Sequence, residues 1–152
     1  MLSQRQADDL ISIEKVLATD TFAFPIPGET LTMSAQTADG REQFQLDIAR
    51  GRRNPDKWKM QLRYRNIDIL ARLDLGGPAH TTPRKAPPRA LSRYEGQSMR
   101  TPHLQRYVEG FGDTWAVPIP QEFTDLSDPM VTWTQFLFYC NVTTAPASQG
   151  RF

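Results

Sequence analysis

The chain contains two histidines, and these side chains are the best suited to acid–base chemistry because imidazole titrates near neutral pH. His80 lies in PAHTTP and His103 in TPHLQRYVEG, each between turn residues next to a run that reads as a strand. Two such histidines that converge would cleave RNA without a metal, one as general base and one as general acid. Arg63 or Arg72 would stabilise the charge that develops on phosphorus, and Tyr107 would be a further proton donor. If the protein is an enzyme, we predict His80, His103, Tyr107 and Arg72 as its catalytic residues.

The alternative is that both histidines are loop residues that make local hydrogen bonds. His80-Thr81-Thr82 fits half of a tandem His-x-Thr phosphodiesterase pattern, but His103-Leu104-Gln105 lacks the hydroxyl residue. Cys140 has no metal-ligand spacing to either histidine. The chain has neither a glycine-rich phosphate loop nor a Gly-x-Ser-x-Gly motif. We therefore expect no metal and no cofactor, and we favour a protein without catalytic activity, although the residues leave this open.

Basic residues are concentrated in the middle of the chain, although the formal net charge is only +1. Seven Lys and Arg residues stand against one Asp between 50 and 65, and five against one Glu between 84 and 100. Side chains two residues apart on a strand face are spaced by about 7 Å, close to the spacing of phosphates on a nucleic-acid strand. The predicted binding residues are Arg52, Arg53, Lys57, Lys59, Arg63, Arg65, Arg84, Lys85, Arg89 and Arg93. The alternative is an ordinary solvated face on which Asp47, Asp74 and the acidic tail neutralise these charges.

The chain is expected to fold as one domain over residues 1–152. A chain of this length buries roughly 70% of its unfolded surface, so no disulfide or metal is needed to hold it together. The single cysteine cannot form an internal disulfide, and the N-terminus MLSQRQADDL lacks the pattern of a signal peptide. No apolar run approaches the roughly 20 residues that span a bilayer. These features predict a soluble, cytoplasmic protein with no membrane partner.

The N-terminal segment reads as a helix over residues 4–18. Ser3 and Gln6 have the spacing of a capping box, and apolar residues recur after them with a helical period. PIPG then breaks the chain, and ADG separates LTMSAQ from FQLDIA, which predicts a hairpin. The clearest strand covers 57–65, where apolar and basic side chains alternate, and another covers 69–75. Together these segments predict a four-stranded antiparallel meander with one core face and one cationic face.

Between residues 76 and 102, turn residues and arginines replace the periodic pattern, which predicts a long arm. HLQRYVEG after it reads as a short fifth strand, and AVPIPQEF as extended chain. Asp128 and Pro129 have the positions of N-cap and first residue of a helix that is apolar nearly all round, and we expect that helix to be the best-buried one. The predicted fold class is α+β: an N-terminal helix, a four- to five-stranded antiparallel sheet, a long Arg/Pro-rich loop and a C-terminal helix packed on the sheet.

Several stretches of the chain carry a resemblance to a known family. They are FPIPGETLTM, DGREQFQLDIARGR, QLRYR, RLDLGGPAHT, PHLQRYVEGFGDTWAVPIPQEF, FLFYCN and the terminal GRF. In this order they cover nearly the whole chain, and they resemble an uncharacterised bacterial and phage domain family of unknown function. The resemblance brings no established activity. It implies that the chain is complete and that it comes from a mobile element or from host–phage conflict.

The chain departs from that family's pattern at two places near the histidines. After His80 and Thr81 the family usually continues with an Asn-Pro-Asp-Gly turn, whereas this chain has Thr82-Pro83-Arg84-Lys85 and a longer basic loop. At Gln105 the family usually has another histidine. The resemblance therefore implies a weakened histidine site and a loop rebuilt for binding, because the added arginines bring anion-binding charge without a catalytic group.

We therefore expect a small binding protein of phage or mobile-element type that acts in host–phage conflict through its cationic surface. Its partner would be nucleic acid, or a nucleoprotein or protein effector that it blocks as an anti-CRISPR-like inhibitor. Two alternatives stay open. One is a metal-independent ribonuclease toxin that uses His80 and His103, and the other is a homo-oligomeric accessory protein whose arginines face the acidic tail of a neighbouring copy. The residues do not decide the oligomeric state.

Overall fold

The computed structural model describes residues 1–19, 22–85 and 89–144. Its helices are α1 (Gln4–Ser12), a short 3₁₀ helix (Arg89–Tyr94) and α2 (Pro129–Tyr139). Its strands are β1 (Lys15–Leu17), β2 (Thr30–Gln36), β3 (Gln43–Arg50), β4 (Trp58–Tyr64), β5 (Asp68–Leu75), β6 (His80–Thr81), β7 (Ser98–Met99), β8 (His103–Val108), β9 (Gly112–Val117) and β10 (Val142–Thr144).

A sheet of eight strands dominates this part of the chain, in the order β10-β1-β2-β3-β4-β5-β8-β9. β1 and β10 are parallel and the other neighbours are antiparallel, so the sheet is mixed. The predicted four- to five-stranded antiparallel sheet is therefore wrong, although the meander β2-β3-β4-β5 and the strand β8 are present. The prediction misses β1 and β10, which have three residues each and are too short to show alternation. It also misses β9, of which it recognises only the last residues as extended.

Helix α1 begins as predicted but ends at Ser12, not at residue 18. The Ser3 hydroxyl accepts from the Gln6 backbone N–H, and the Gln6 side chain accepts from the Ser3 N–H, which confirms the capping box. Ile13 is extended, and the chain after it pairs with β2 and β10 as β1. Pairing within the sheet thus outweighs the helical apolar period, as tertiary contacts often outweigh local propensity.

Lys15 is buried where the chain leaves α1. Its ammonium donates to the carbonyl oxygens of Ile11 and Ile13 at 2.8 Å and of Cys140 at 2.7 Å, which joins the C-terminal ends of α1 and α2. The Nζ atom also lies 5.0 Å from the centroid of the Phe44 ring. Burial disfavours the charged form and lowers the pKa of Lys15 to about 8, while the nearby Cys140 thiol opposes that shift.

Both helices pack on one face of the sheet, and that face holds the core. α1 contacts β5 and β8, and α2 contacts β4 and β10. Trp58, Met60, Leu62 and Tyr64 are buried on this face, as the alternation along β4 predicts. The opposite face, here called the open face, carries the polar side chains of the same strands.

Helix α2 starts where the sequence predicts. The Asp128 side chain accepts from the backbone N–H of Met130, and Pro129 is the first helical residue. The buried residues of the helix are Thr132, Trp133 and Phe136. The apolar surface of α2 is not covered all round, because Met130 is 63% exposed and Phe138 is 77% exposed.

The described parts of the arm, residues 76–85 and 89–102, fold onto the sheet. β6 and β7 pair with each other, and both β6 and the 3₁₀ helix contact β9. Two glycines start the arm with positive φ, 63° at Gly76 and 104° at Gly77. A Cβ atom on Gly76 would lie 2.8 Å from the carbonyl oxygen of Asp56. Glycine therefore lets the arm leave β5 in close contact with the β3–β4 loop.

Lys15 makes the stability of the fold depend on pH in alkaline solution. Its pKa is about 8 in the folded chain against an ordinary value of 10.5, so the unfolded chain binds more protons between those values. The free energy of unfolding should therefore rise with pH across that window, by up to about 1.4 kcal/mol per pH unit. We expect urea denaturation to show this rise for the wild type relative to Lys15→Met. A difference that stays constant across the window would contradict the burial of the ammonium.

Candidate functional site

A row of polar side chains crosses the open face. The register aligns Thr32, Asp47, Gln61, Arg72 and Gln105 on five neighbouring strands. Successive residues of a strand point to opposite faces of the sheet. The residues that alternate with the core residues therefore form this row on the open face. It lies between the predicted cationic strand face and the predicted histidines, and it determines which of those side chains are free to bind.

Asp47 neutralises the middle of the predicted cationic face. Arg63 forms a bidentate pair with it, with Nε 2.6 Å and Nη2 2.9 Å from the two carboxylate oxygens. Thr32 and Gln61 also donate to this carboxylate, at 2.6 and 2.7 Å. Burial alone would raise the pKa of Asp47, but the hydrogen bonds from Arg63, Thr32 and Gln61 outweigh it and lower the pKa below its ordinary value. Arg63 is therefore bound within the sheet rather than available to a partner.

The two histidines lie side by side, with ring centroids 6.2 Å apart. His103 is 1% exposed, and its Nε2 lies 3.1 Å from Asp74 Oδ2 and 3.2 Å from Gln105 Oε1. Its Nδ1 lies 3.1 Å from the carbonyl oxygen of Met99 and 3.3 Å from that of Arg100. All four of these partners are acceptors of the protein itself. Both ring nitrogens are therefore directed at protein groups and not at a substrate, and His103 connects the arm to the sheet.

Gln105 and Arg72 complete the surroundings of that ring. Gln105 donates from Nε2 to the carbonyl oxygen of Asp113 at 2.6 Å, which directs its Oε1 to His103. Gln105 is thus one of the groups that hold the histidine. The Nε of Arg72 lies 3.0 Å from Asp74 Oδ2, and its Nη1 lies 3.9 Å from Asp113 Oδ2. The guanidinium predicted to stabilise a phosphorane is therefore already ion-paired.

His80 and Tyr107 have different surroundings. His80 is half-buried, and its Nε2 lies 2.7 Å from the carbonyl oxygen of Thr114, to which it donates. Tyr107 belongs to the core on the helix side, where its hydroxyl donates to the carbonyl oxygen of Leu2 at 2.8 Å. The structure therefore brings the histidines and Arg72 together around Asp74 but separates Tyr107 from them.

The remaining predicted binding residues fall in three places rather than on one continuous line. At the end of the sheet where β3 leads into β4, here called the β3–β4 end, lie Arg52, Arg53, Lys57 and Lys59. In the arm lie Arg84, Lys85 and Arg93, which are exposed. Arg65 lies at the opposite end of β4 and pairs with Glu42 at 3.5 Å, while the side chain of Arg89 lies outside the described residues. The four cations of the β3–β4 end form no ion pair with any acidic residue that the structure describes.

Arg50 is a site residue that the predicted binding set omits. As the last residue of β3 it pairs in register with Trp58, and its guanidinium carbon lies 4.9 Å from the centroid of that ring. Its Nε donates to the carbonyl oxygen of Pro55 at 2.7 Å. Its Nη groups have no acceptor within the described ranges, so the guanidinium is held in place with two nitrogens open. The sequence signal is an arginine that closes one strand opposite the tryptophan that starts the next.

A depression of about 210 Å³ lies beside Arg50, at the β3–β4 end of the open face. Lys57, Lys59 and Arg72 line it together with Arg50. Asp74 also lines it, and this carboxylate is already held by Arg72 and His103. Lys57 and Lys59, which lack an acidic partner in the described chain, therefore border one space that is open to an anion, and Arg50, whose guanidinium lies over Trp58, adjoins that space.

A family model matches residues 2–142, so the chain belongs to DUF6978, a family of unknown function. This membership confirms the resemblance to an uncharacterised family that the sequence indicates. No curated protein and no solved structure matches the chain. In the ranges that the structure describes, no helix is long and apolar enough to cross a membrane.

Replacement of His103 tests its role as the fastening of the arm. In His103→Ala, the Asp74 carboxylate loses a partner and the carbonyl oxygens of Met99 and Arg100 lose a donor. We expect trypsin to cleave the arm of the native protein roughly tenfold faster, since a buried polar group left without a partner lowers the cost of local opening.

The matched control is His80→Ala, which removes a single hydrogen bond from a more exposed ring. Its arm should be cleaved within about twofold of the wild-type rate. Equal cleavage of all three proteins, measured under conditions where thermal denaturation shows each to be folded, would contradict the fastening role of His103.

Proposed function

We propose that the protein binds nucleic acid without a catalytic step of its own, and that the β3–β4 end is the surface that contacts the phosphates. The observation that carries the proposal is the held guanidinium of Arg50, with its open Nη groups, beside the unpaired ammonium groups of Lys57 and Lys59. Phosphate oxygens are the ligands that such a group of donors prefers, because arginine offers two parallel N–H groups to an oxyanion.

The distribution of charge favours this end over the rest of the surface. Arg63, Arg65 and Arg72 are each paired with a carboxylate, so the open face and the far end of β4 are locally balanced. Arg52 and Arg53 extend the free positive charge beyond the depression, and both are exposed. A cationic region next to a neutral one raises the local concentration of a polyanion and aligns it.

The surroundings of His103 favour binding over RNA cleavage. A general acid and base pair needs two imidazoles that reach the substrate, and both nitrogens of this ring face protein acceptors. His80 is the histidine that would remain for chemistry. The ribonuclease alternative therefore stays a prediction. In this geometry, the imidazole available to it is that of His80.

The biological setting is also part of the proposal. A nucleic acid partner fits a protein of the cytoplasm, and the same surface would dock on the nucleic acid of a nucleoprotein effector in host–phage conflict. The oligomeric alternative, in which the arginines face the tail of a second copy, stays a prediction.

Charge reversal at the β3–β4 end tests the proposal. Wild-type protein should bind a short labelled RNA strand with an affinity that falls steeply with salt, because each phosphate contact releases counterions. Arg53→Glu combined with Lys57→Glu should weaken binding by at least about tenfold and make the slope of log K against log salt shallower by about 2. Fluorescence anisotropy across a salt series measures both quantities.

The control variant has the same change of net charge at surfaces away from the β3–β4 end. Arg5 and Arg41 are exposed on α1 and in the β2–β3 turn, and Arg5→Glu combined with Arg41→Glu should leave the affinity within about threefold of wild type. An equal loss in both double variants would show a response to net charge and not to this surface. Binding to neither RNA nor DNA would contradict the proposal and would make an acidic protein the remaining partner.

A further inference from the structure

A second cavity lies on the other side of Arg50, next to the start of α2. This cleft of about 510 Å³ is lined by the apolar side chains of Trp58, Leu75, Pro102 and Leu126 and, in about equal measure, by polar groups. Its volume falls within the range of small-ligand sites. Arg50 lines both the cleft and the depression, so the two cavities adjoin at this residue, while its guanidinium lies on the cleft side, over the Trp58 ring.

Two polar side chains, Asp56 and Ser127, also line the cleft. Asp56 is exposed, and its carboxylate has no cation within ion-pair distance among the residues described. The Ser127 hydroxyl donates to the Asp125 carboxylate at 2.6 Å, which leaves its oxygen as an acceptor. The cleft therefore combines apolar walls with acceptors at its edge. A flat heteroaromatic ring with N–H groups along one edge has the complementary chemistry, and nucleobases are such rings.

The walls of the cleft are held before any ligand arrives. Phe24 packs edge-to-face on Trp58 with ring centroids 6.1 Å apart, and Arg50 is fixed between Trp58 and the carbonyl oxygen of Pro55. Gly76, which also lines the cleft, has a positive φ that a larger residue would strain. A preformed site loses little conformational entropy on binding, so even a small ring contributes usefully to affinity.

We infer that the cleft takes one unpaired nucleobase of a strand whose neighbouring phosphate lies in the depression. The inference rests on the proposed function and adds the form of the nucleic acid, which is single-stranded. The two cavities adjoin at Arg50, which lines both, so one nucleotide would span them. A base inside a duplex is paired and stacked, so it would enter the cleft only at the cost of being flipped out.

Abasic strands test this inference separately from phosphate binding. Wild-type protein should bind a base-containing RNA strand roughly tenfold more tightly than a strand of equal length whose nucleotides lack bases, since one base contact is worth about that factor. Ser127→Trp places an indole in the cleft without changing any charge. This variant should bring the ratio of the two affinities close to one and leave the salt dependence of wild type.

A second variant covers the case in which the tryptophan disturbs the fold. Asp56→Asn replaces one of the two acceptor oxygens with an amide donor at an exposed loop position, so it should lower the same ratio in a protein with wild-type thermal stability. Because the variant loses a negative charge, it should bind both strands more tightly, whereas an unfolded variant would bind both more weakly. An unchanged ratio in Asp56→Asn and in folded Ser127→Trp would overturn the inference.

The matched control is Ser34→Trp, at an exposed position of β2 that lines a different cavity. It should keep the wild-type preference for bases, and an equal loss there would overturn the assignment to this cleft. Equal affinity of wild type for both strands, with steep salt dependence, would overturn the inference and leave the proposed function standing. Failure to bind either strand would overturn the proposed function itself.

Discussion

The unbroken register between β3 and β4 is the constraint on which both faces of the sheet depend. It runs from Phe44 opposite Tyr64 to Arg50 opposite Trp58 without a shift. A slip of one residue would exchange the faces and move the core side chains of both strands into solvent. The apolar residues of the two strands therefore hold the register, and the register in turn places Arg50 on an aromatic ring at the end of the ladder.

The same register explains why the cationic residues differ in what they can bind. Asp47 lies within reach of Arg63 on the neighbouring strand, and Asp74 lies beside Arg72 on its own strand. A carboxylate that is largely removed from water needs such donors. Each arginine that pairs with it is then no longer available to an external ligand. The arginines of the loop beyond the last pair form no ion pair with any carboxylate of the described residues, although Asp56 lies in the same loop, so positive charge accumulates where the ladder ends.

The need of a buried carboxylate for hydrogen-bond donors also gives His103 a structural role, although histidine is suited to catalysis. Asp74 is nearly buried, and His103 meets it from the next strand while also binding carbonyl oxygens of the arm. The arm is long and poor in apolar residues, so these polar contacts help to keep it on the sheet. Proximity of two imidazoles, at 6.2 Å between ring centroids, is therefore compatible with fastening as well as with chemistry.

Local patterns in the sequence predict the parts of the fold that local physics controls. The capping box at Ser3, the N-cap at Asp128 and the alternation along β4 are all found. The end of α1 and the outer strands depend on pairing between distant segments, such as Lys15 opposite Val142, which no local pattern contains. Of the site, the charge run is visible in the sequence, but the role of Arg50 depends on a cross-strand partner that only the register supplies.

Backbone amide chemical shifts recorded while a short single-stranded RNA is added would test most directly whether the β3–β4 end is the nucleic-acid surface. The largest changes should fall at residues 50–59 and at 126–127, which border the depression and the cleft. Residues 65–68, at the opposite end of β4 and β5, should change little. Changes concentrated at that opposite end, or at residues 80–85 and 89–99 of the arm, would contradict the assignment of this surface.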